Sequence, residues 1–281
     1  MFDRQGPGVP TVRLLLMAVL VNALTLPLAG AATSADAAQV LPHKAIYDLH
    51  LSRTQINSSV TQAEGFFEFE WGDACSGWTV VHQTRLKIDY SDGRRLDFGA
   101  SHKSWESKDG KSYQFFIKRN YNGSPVEEVR GEASLGDGDA RGTAHFSLPE
   151  ERDVTLPKGT IFPTQHSIEL LQAAEREELP LWRIVFDGSG NDGFFGISAA
   201  LMQSYLPGED LSEIAGRLSA ERSWQLQLAF FDLKNQTGEP EQEQSLRIFN
   251  NGVVDELELD YGDFVVKARL REFRPLLVPD C

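Results

Sequence analysis

The stretch Glu64-Gly65-Phe66-Phe67-Glu68-Phe69-Glu70-Trp71 decides the fold. Phe67, Phe69 and Trp71 share one parity, and Glu68 and Glu70 share the other. A strand repeats its facing every two residues, so this alternation predicts a half-buried β-strand. The same signature recurs outward in both directions. Upstream, residues 43–52 put Ala45, Tyr47 and Leu49 on one parity. Downstream, Gly72-Asp73-Ala74 turns the chain into Cys75, and a strand over 78–88 follows Gly77. Asp92-Gly93, Asp109-Gly110 and Asn122-Gly123 separate further strand-like runs over 96–105, 113–121 and 126–133. Asp-Gly and Asn-Gly favour the backbone twist of tight hairpins. Spacings of this kind spell an antiparallel meander.

Residues 156–163 (Leu-Pro-Lys-Gly-Thr-Ile-Phe-Pro) break the alternation. Thr164 is placed to cap a helix over 164–176, with Ile168, Leu171 and Ala174 as its apolar stripe and Leu170 beside it. Strands resume over 181–186, 194–202 and 224–233, and the chain ends in a three-strand meander over 244–273. About fourteen strands and one helix are expected. No linker rich in Pro, Gly or Ser divides them, so residues 39–281 read as a single domain. A flat sheet of that many strands is uncommon, so the fold class is mainly β: one long antiparallel sheet curled on itself.

The N-terminus has Arg4 and Arg13, an apolar run over 14–28 and then small residues with Ala35-Asp36-Ala37. That pattern predicts a secretory signal peptide over 1–38, cut after Ala31, Ala37 or a neighbour. A lipoprotein signal would carry Cys where Ala31 stands, so no lipid anchor is expected. The mature chain is expected to be soluble in the exported space. Its net charge of −14 and pI of about 4.9 disfavour nucleic acid and anionic membrane surfaces as partners. The two cysteines, Cys75 and Cys281, lie 206 positions apart in a chain read as exported, so they are expected to form one disulfide. A reactive thiol pair would call for C-x-x-C spacing, which is absent.

Chemical motifs are scarce. Gly188-Ser189-Gly190 lacks the frame of a nucleophile elbow, and H-E-x-x-H is absent. The six histidines, His43, His50, His82, His102, His145 and His166, form no local metal clip. Gly136-Asp137-Gly138-Asp139-Ala140 and the 187–193 segment resemble calcium loops but lack the repeats or the Gly and Glu positions that such loops need. Glu64, Glu68 and Glu70 read as a solvated strand face. No catalytic residue, metal or cofactor is therefore expected. Adjacent aromatics (Phe66–Phe67, Phe115–Phe116, Phe194–Phe195) imply strands covered on both faces. The concave face of a curled sheet can hold a lipid or peptide, or its rings can fill the core. Phe67, Phe69, Trp71, Phe116 and Phe195 are the candidate ligand contacts.

Four motifs then occur in order: Leu-Pro-His-Lys-Ala-Ile-Tyr over 41–47, Asp73-Ala-Cys75-Ser-Gly-Trp78, Leu156-Pro-Lys-Gly-Thr160-Ile-Phe-Pro163-Thr164-Gln-His166, and the terminal Cys281. In these the sequence from about residue 41 to 281 resembles the EipB family of periplasmic cell-envelope-integrity proteins. The resemblance implies a β-spiral, a long antiparallel sheet or open barrel wound around one helix, like the periplasmic lipoprotein carriers. It implies a Cys75–Cys281 disulfide, a periplasmic location and a role in envelope maintenance in Gram-negative bacteria, mainly alphaproteobacteria. It brings no enzyme activity and no catalytic residues. The expected function is therefore non-enzymatic: binding of an apolar or peptide-like ligand, or of an envelope protein, in the concavity, with lipid, lipoprotein or periplasmic envelope proteins as the expected partners. The alternatives are a scaffold acting through exposed strand edges and, third, a hydrolase.

Overall fold

The computed structural model describes residues 40–281 apart from 137–140, 191, 210–217, 219 and 235–237. The signal-peptide reading and the Asp-rich turn at 137–139 lie outside the described residues. The first strands are β1 (His43–Thr54), β2 (Val60–Asp73), β3 (Gly77–Tyr90), β4 (Arg95–Ser107) and β5 (Ser112–Tyr121). Then come β6 (Ser124–Ser134), β7 (Thr143–Leu148), β8 (Arg152–Thr155) and the two-residue β9 (Thr160–Ile161). After the helix α1 (Pro163–Glu175) follow β10 (Leu181–Phe186), β11 (Phe194–Tyr205) and β12 (Ser223–Phe231). The last three are β13 (Gln242–Phe249), β14 (Val254–Asp260) and β15 (Phe264–Pro275).

Among the described residues, all fifteen strands belong to one sheet. Its order runs from β8 down to β1, crosses to β15, and descends to β9. Neighbours are antiparallel except β9 and β10. The hairpin turns read from sequence set this order, since each joins strands that pair. The first and last strands meet mid-sheet, Ala45 opposite Phe273.

Register keeps one row of side chains on one face from strand to strand. Ile117, His102, His82, Phe69, Ala45 and Phe273 stand side by side across β5, β4, β3, β2, β1 and β15. This face curls inward. The sheet does not close into a barrel, because β8 and β9 do not pair. It overlaps itself instead. Val185 on β10 faces the core around α1, with Leu171 and Trp224. Its neighbour Phe186 faces the other way and packs against Phe115, Phe146 and Phe162. The outer face of β10 is thus covered by the inner face of β5 and β7, which is the geometry of a spiral. Gly188 and Gly193 sit in that overlap at φ +81° and +78°. A Cβ on Gly188 would enter the Phe115 ring, and one on Gly193 the Phe186 ring.

The helix starts differently from the sequence expectation. Its N-cap is Phe162, with no side-chain cap bond, and Pro163 occupies the first turn, where a missing N–H is harmless. Thr164 does not cap. Glu106 of β4 does so from 58 positions upstream, its carboxylate accepting from the backbone N–H of Thr164 at 2.7 Å and of Gln165 at 2.8 Å. Leu170, Leu171 and Ala174 then fill the spiral against Trp71, Trp224 and Ile248. Fully burying a leucine of this kind stabilises by about 1.5–3 kcal/mol.

The disulfide forms as expected between Cys75 and Cys281, with Cα atoms 5.8 Å apart. Cys75 lies in the β2–β3 turn at φ +60°. Asp73 Oδ1 accepts from its backbone N–H at 2.8 Å and holds that conformation. Lys108 Nζ donates to Asp73 Oδ2 at 2.8 Å and sits 2.9 Å from the centroid of the Trp78 ring.

Candidate functional site

Antiparallel strands alternate in direction, so every second turn lies at the same end of the spiral. The β2–β3 turn with the disulfide, the β4–β5 turn and the β13–β14 turn share one end. Residues of α1 pack there, with the Leu171 and Trp71 side chains beside Gly252. The β10–β11, β12–β13 and β14–β15 connections share the other end. Between the helix and those connections lies a cavity of about 990 Å³. Its wall includes Phe69, Trp71, His82 and His102 from β2–β4, with Phe195 and Phe230 opposite. Its rim includes Asp187, Asp192, Asp232, Glu241 and Asp260 from the connections and strand ends.

Inside, the polar groups are held neutral. His82 and His102 face each other across β3 and β4, ring centroids 6.0 Å apart. Burial, and then the neighbouring His102, pushes His82 down to about 3. Burial also lowers His102, against the pull of Asp187. The Tyr113 hydroxyl lies 3.3 Å from His102 Nε2, and burial raises the phenol well above its ordinary range. Both imidazoles are therefore uncharged at neutral pH. Trp71, 4% exposed, forms part of the wall, and its indole Nε1 has no hydrogen-bond partner among the described residues.

The rim is charged. Lys234 pairs with Asp192, and Arg119, also on the wall, donates to Glu127 at 2.6 Å. Asp260 Oδ2 meets Arg53 Nη2 at 3.5 Å. Asp187 Oδ1 accepts from the backbone N–H of Ser189 at 2.7 Å, the bond of an ordinary turn. Among the described residues no group of three or more His, Cys, Asp and Glu is placed to hold a metal.

Of the five candidate contacts, Phe69, Trp71 and Phe195 line the cavity. Phe67 is on the same inner face but packs beside Tyr47 and His82, ring centroids 5.5 and 5.6 Å away. Phe116 is placed differently from expectation. Its neighbour Phe115 is buried in the inner core, so alternation turns Phe116 to the outer face. There Lys118 and Arg130 lie 4.8 and 4.7 Å from its ring centroid. Sequence reasoning overlooked the His82–His102 pair. The signal was present, since both positions are ten residues from Asp92 and a hairpin folded there sets them opposite each other.

No helix among the described residues is long and apolar enough to cross a membrane. The EipB-like family model matches residues 34–277. The curated cell envelope integrity protein EipB of Brucella abortus is 33% identical over 247 residues, covering 86% of this chain and 86% of that one. A crystal structure of a beta-barrel-like protein, a domain of unknown function from Brucella abortus, aligns with a TM-score of 0.78 at 29% identity. That match covers 85% of this chain and 99% of the other. By the family model and by the breadth of the match to its curated relative, the chain belongs to the EipB-like family.

Proposed function

We propose that this protein maintains cell-envelope integrity as a non-enzymatic periplasmic protein that holds a lipid-like ligand inside its spiral. The observation that carries this reading is the cavity of about 990 Å³ walled by Phe69, Trp71, Phe195 and Phe230. A volume of this size accommodates a small molecule or an acyl chain, and aromatic walls suit an apolar body. The family name of its relative, an envelope integrity protein, supports the biological setting. The neutral histidines support binding over acid–base catalysis, because a general base works best with a pKa near the working pH and His82 is held at about 3.

The scaffold reading has less to draw on. The sheet's free edges are β8, four residues, and β9, two residues. Short edges discourage strand addition. The test is mass spectrometry of protein released gently from native periplasm, with lipid and protein analysis of the same sample. A stoichiometric lipid or acylated species supports the reading. Empty protein with a reproducible protein partner overturns it in favour of the scaffold.

A further inference from the structure

Building on that cavity reading, we infer that the ligand is a single-chain amphiphile whose head group is cationic. Each positive feature of the cavity wall among the described residues already has its own carboxylate. Arg119 is held by Glu127, and Lys234 by Asp192. The N-terminus of α1, the part of a helix that attracts anions, donates its Thr164 and Gln165 N–H groups to Glu106. An anionic head would therefore meet no free positive partner on this wall. The wall carries five carboxylates against two fixed cations, with Arg53 behind Asp260 as a third and with His82 and His102 neutral. Carboxylates ringing a cleft with low-dielectric walls focus a negative potential into it. Tyr261, 46% exposed at the rim, and Phe231 add aromatic faces of the kind that attract ammonium groups. Below the rim, the rings of Phe69, Phe195 and Phe230 provide the apolar lining for a chain.

The experiment is calorimetric titration of the purified mature protein with dodecyltrimethylammonium and with dodecyl sulfate. Both have the same chain and are used below their micelle concentrations. The expected result is at least ten-fold tighter binding of the ammonium, with the preference abolished in Asp187→Asn/Glu241→Gln. Equal binding, or tighter binding of the sulfate, overturns the head-group inference and leaves the cavity reading standing. Binding of neither amphiphile overturns both. Dodecyl maltoside, an uncharged competitor, separates cavity from surface. Displacement of the bound ammonium supports the inference, and ammonium binding indifferent to the competitor overturns it as surface adsorption. Ala100→Trp, which fills the cavity wall, gives a second check when its circular dichroism matches the parent. It should lose the ammonium, and unchanged affinity would again mean surface adsorption.

Discussion

A carboxylate buried beside two helix N–H groups is pulled in opposite directions. Burial pushes Glu106 up to about 7, while its bonds to Thr164 and Gln165 favour the ionised form. Glu106→Ala leaves two backbone donors unsatisfied in a buried place, a loss of about 1–3 kcal/mol. Glu106→Gln keeps one acceptor and should lose less, and urea midpoints at pH 8 will rank the two. The histidines act on stability through pH. His166 on α1 is buried, with Glu169 raising and Arg183 lowering its affinity for protons, and burial takes it down to about 4. The unfolded imidazole binds a proton near pH 6.5 and the folded one does not, so stability is intact above 6.5 and falls as pH drops toward 4. The loss saturates at about 3 kcal/mol for a shift of this size. His43, His82 and His102 are lowered too and add to it, whereas Glu106, raised, opposes it between about 7 and 4.5. Net acid destabilisation below pH 6.5 is expected, and His166→Asn should flatten it in urea titrations at pH 7.5, 6 and 5. An unchanged slope would show that His166 is not held neutral.

At the scale of elements, local patterning was legible and distant partners were not. Phe67, Phe69 and Trp71 announce their strand because side chains two apart share a face. The Asp92-Gly93 turn even fixes the His82–His102 pairing. The cap of α1 was misread because Thr164 looks like a local solution, while Glu106 reaches it only through the curl of the sheet. The outward turn of Phe116 was within reach, since Phe115 and Phe116 cannot share a face. What no local pattern could show is which of the two lies inside, because that depends on the direction of curl. The overlap at β10 is of the same kind, and it can be tested at Gly188. Gly188 and Gly123 both have positive φ, +81° and +79°, but only Gly188 has a ring where its Cβ would be. Gly123→Ala should cost about 1 kcal/mol, the strain of the left-handed backbone. Gly188→Ala should cost that plus about 1–3 kcal/mol of overpacking. Equal losses in thermal denaturation would mean that β5 does not press on this turn.

Across the whole molecule the spiral has two unlike ends. One carries the carboxylate rim and opens into the cavity. The other is filled by α1 and tied by Cys75–Cys281, which joins residues 206 positions apart. Closing a loop of that length removes roughly 5 kcal/mol of unfolded-state freedom in the chain-entropy model, and native bridges typically deliver about 2–5 kcal/mol. The bridge ties the chain's end back to the β2–β3 turn without touching the rim. Stability and uptake should therefore separate. A Cys75→Ser/Cys281→Ser double variant should lose about 2–5 kcal/mol in urea denaturation. At 25 °C, while still folded by circular dichroism, it should bind dodecyltrimethylammonium within two-fold of the parent. Binding lost from a folded double variant would mean that the tied end holds the open end in shape, and that the two ends of the spiral act as one.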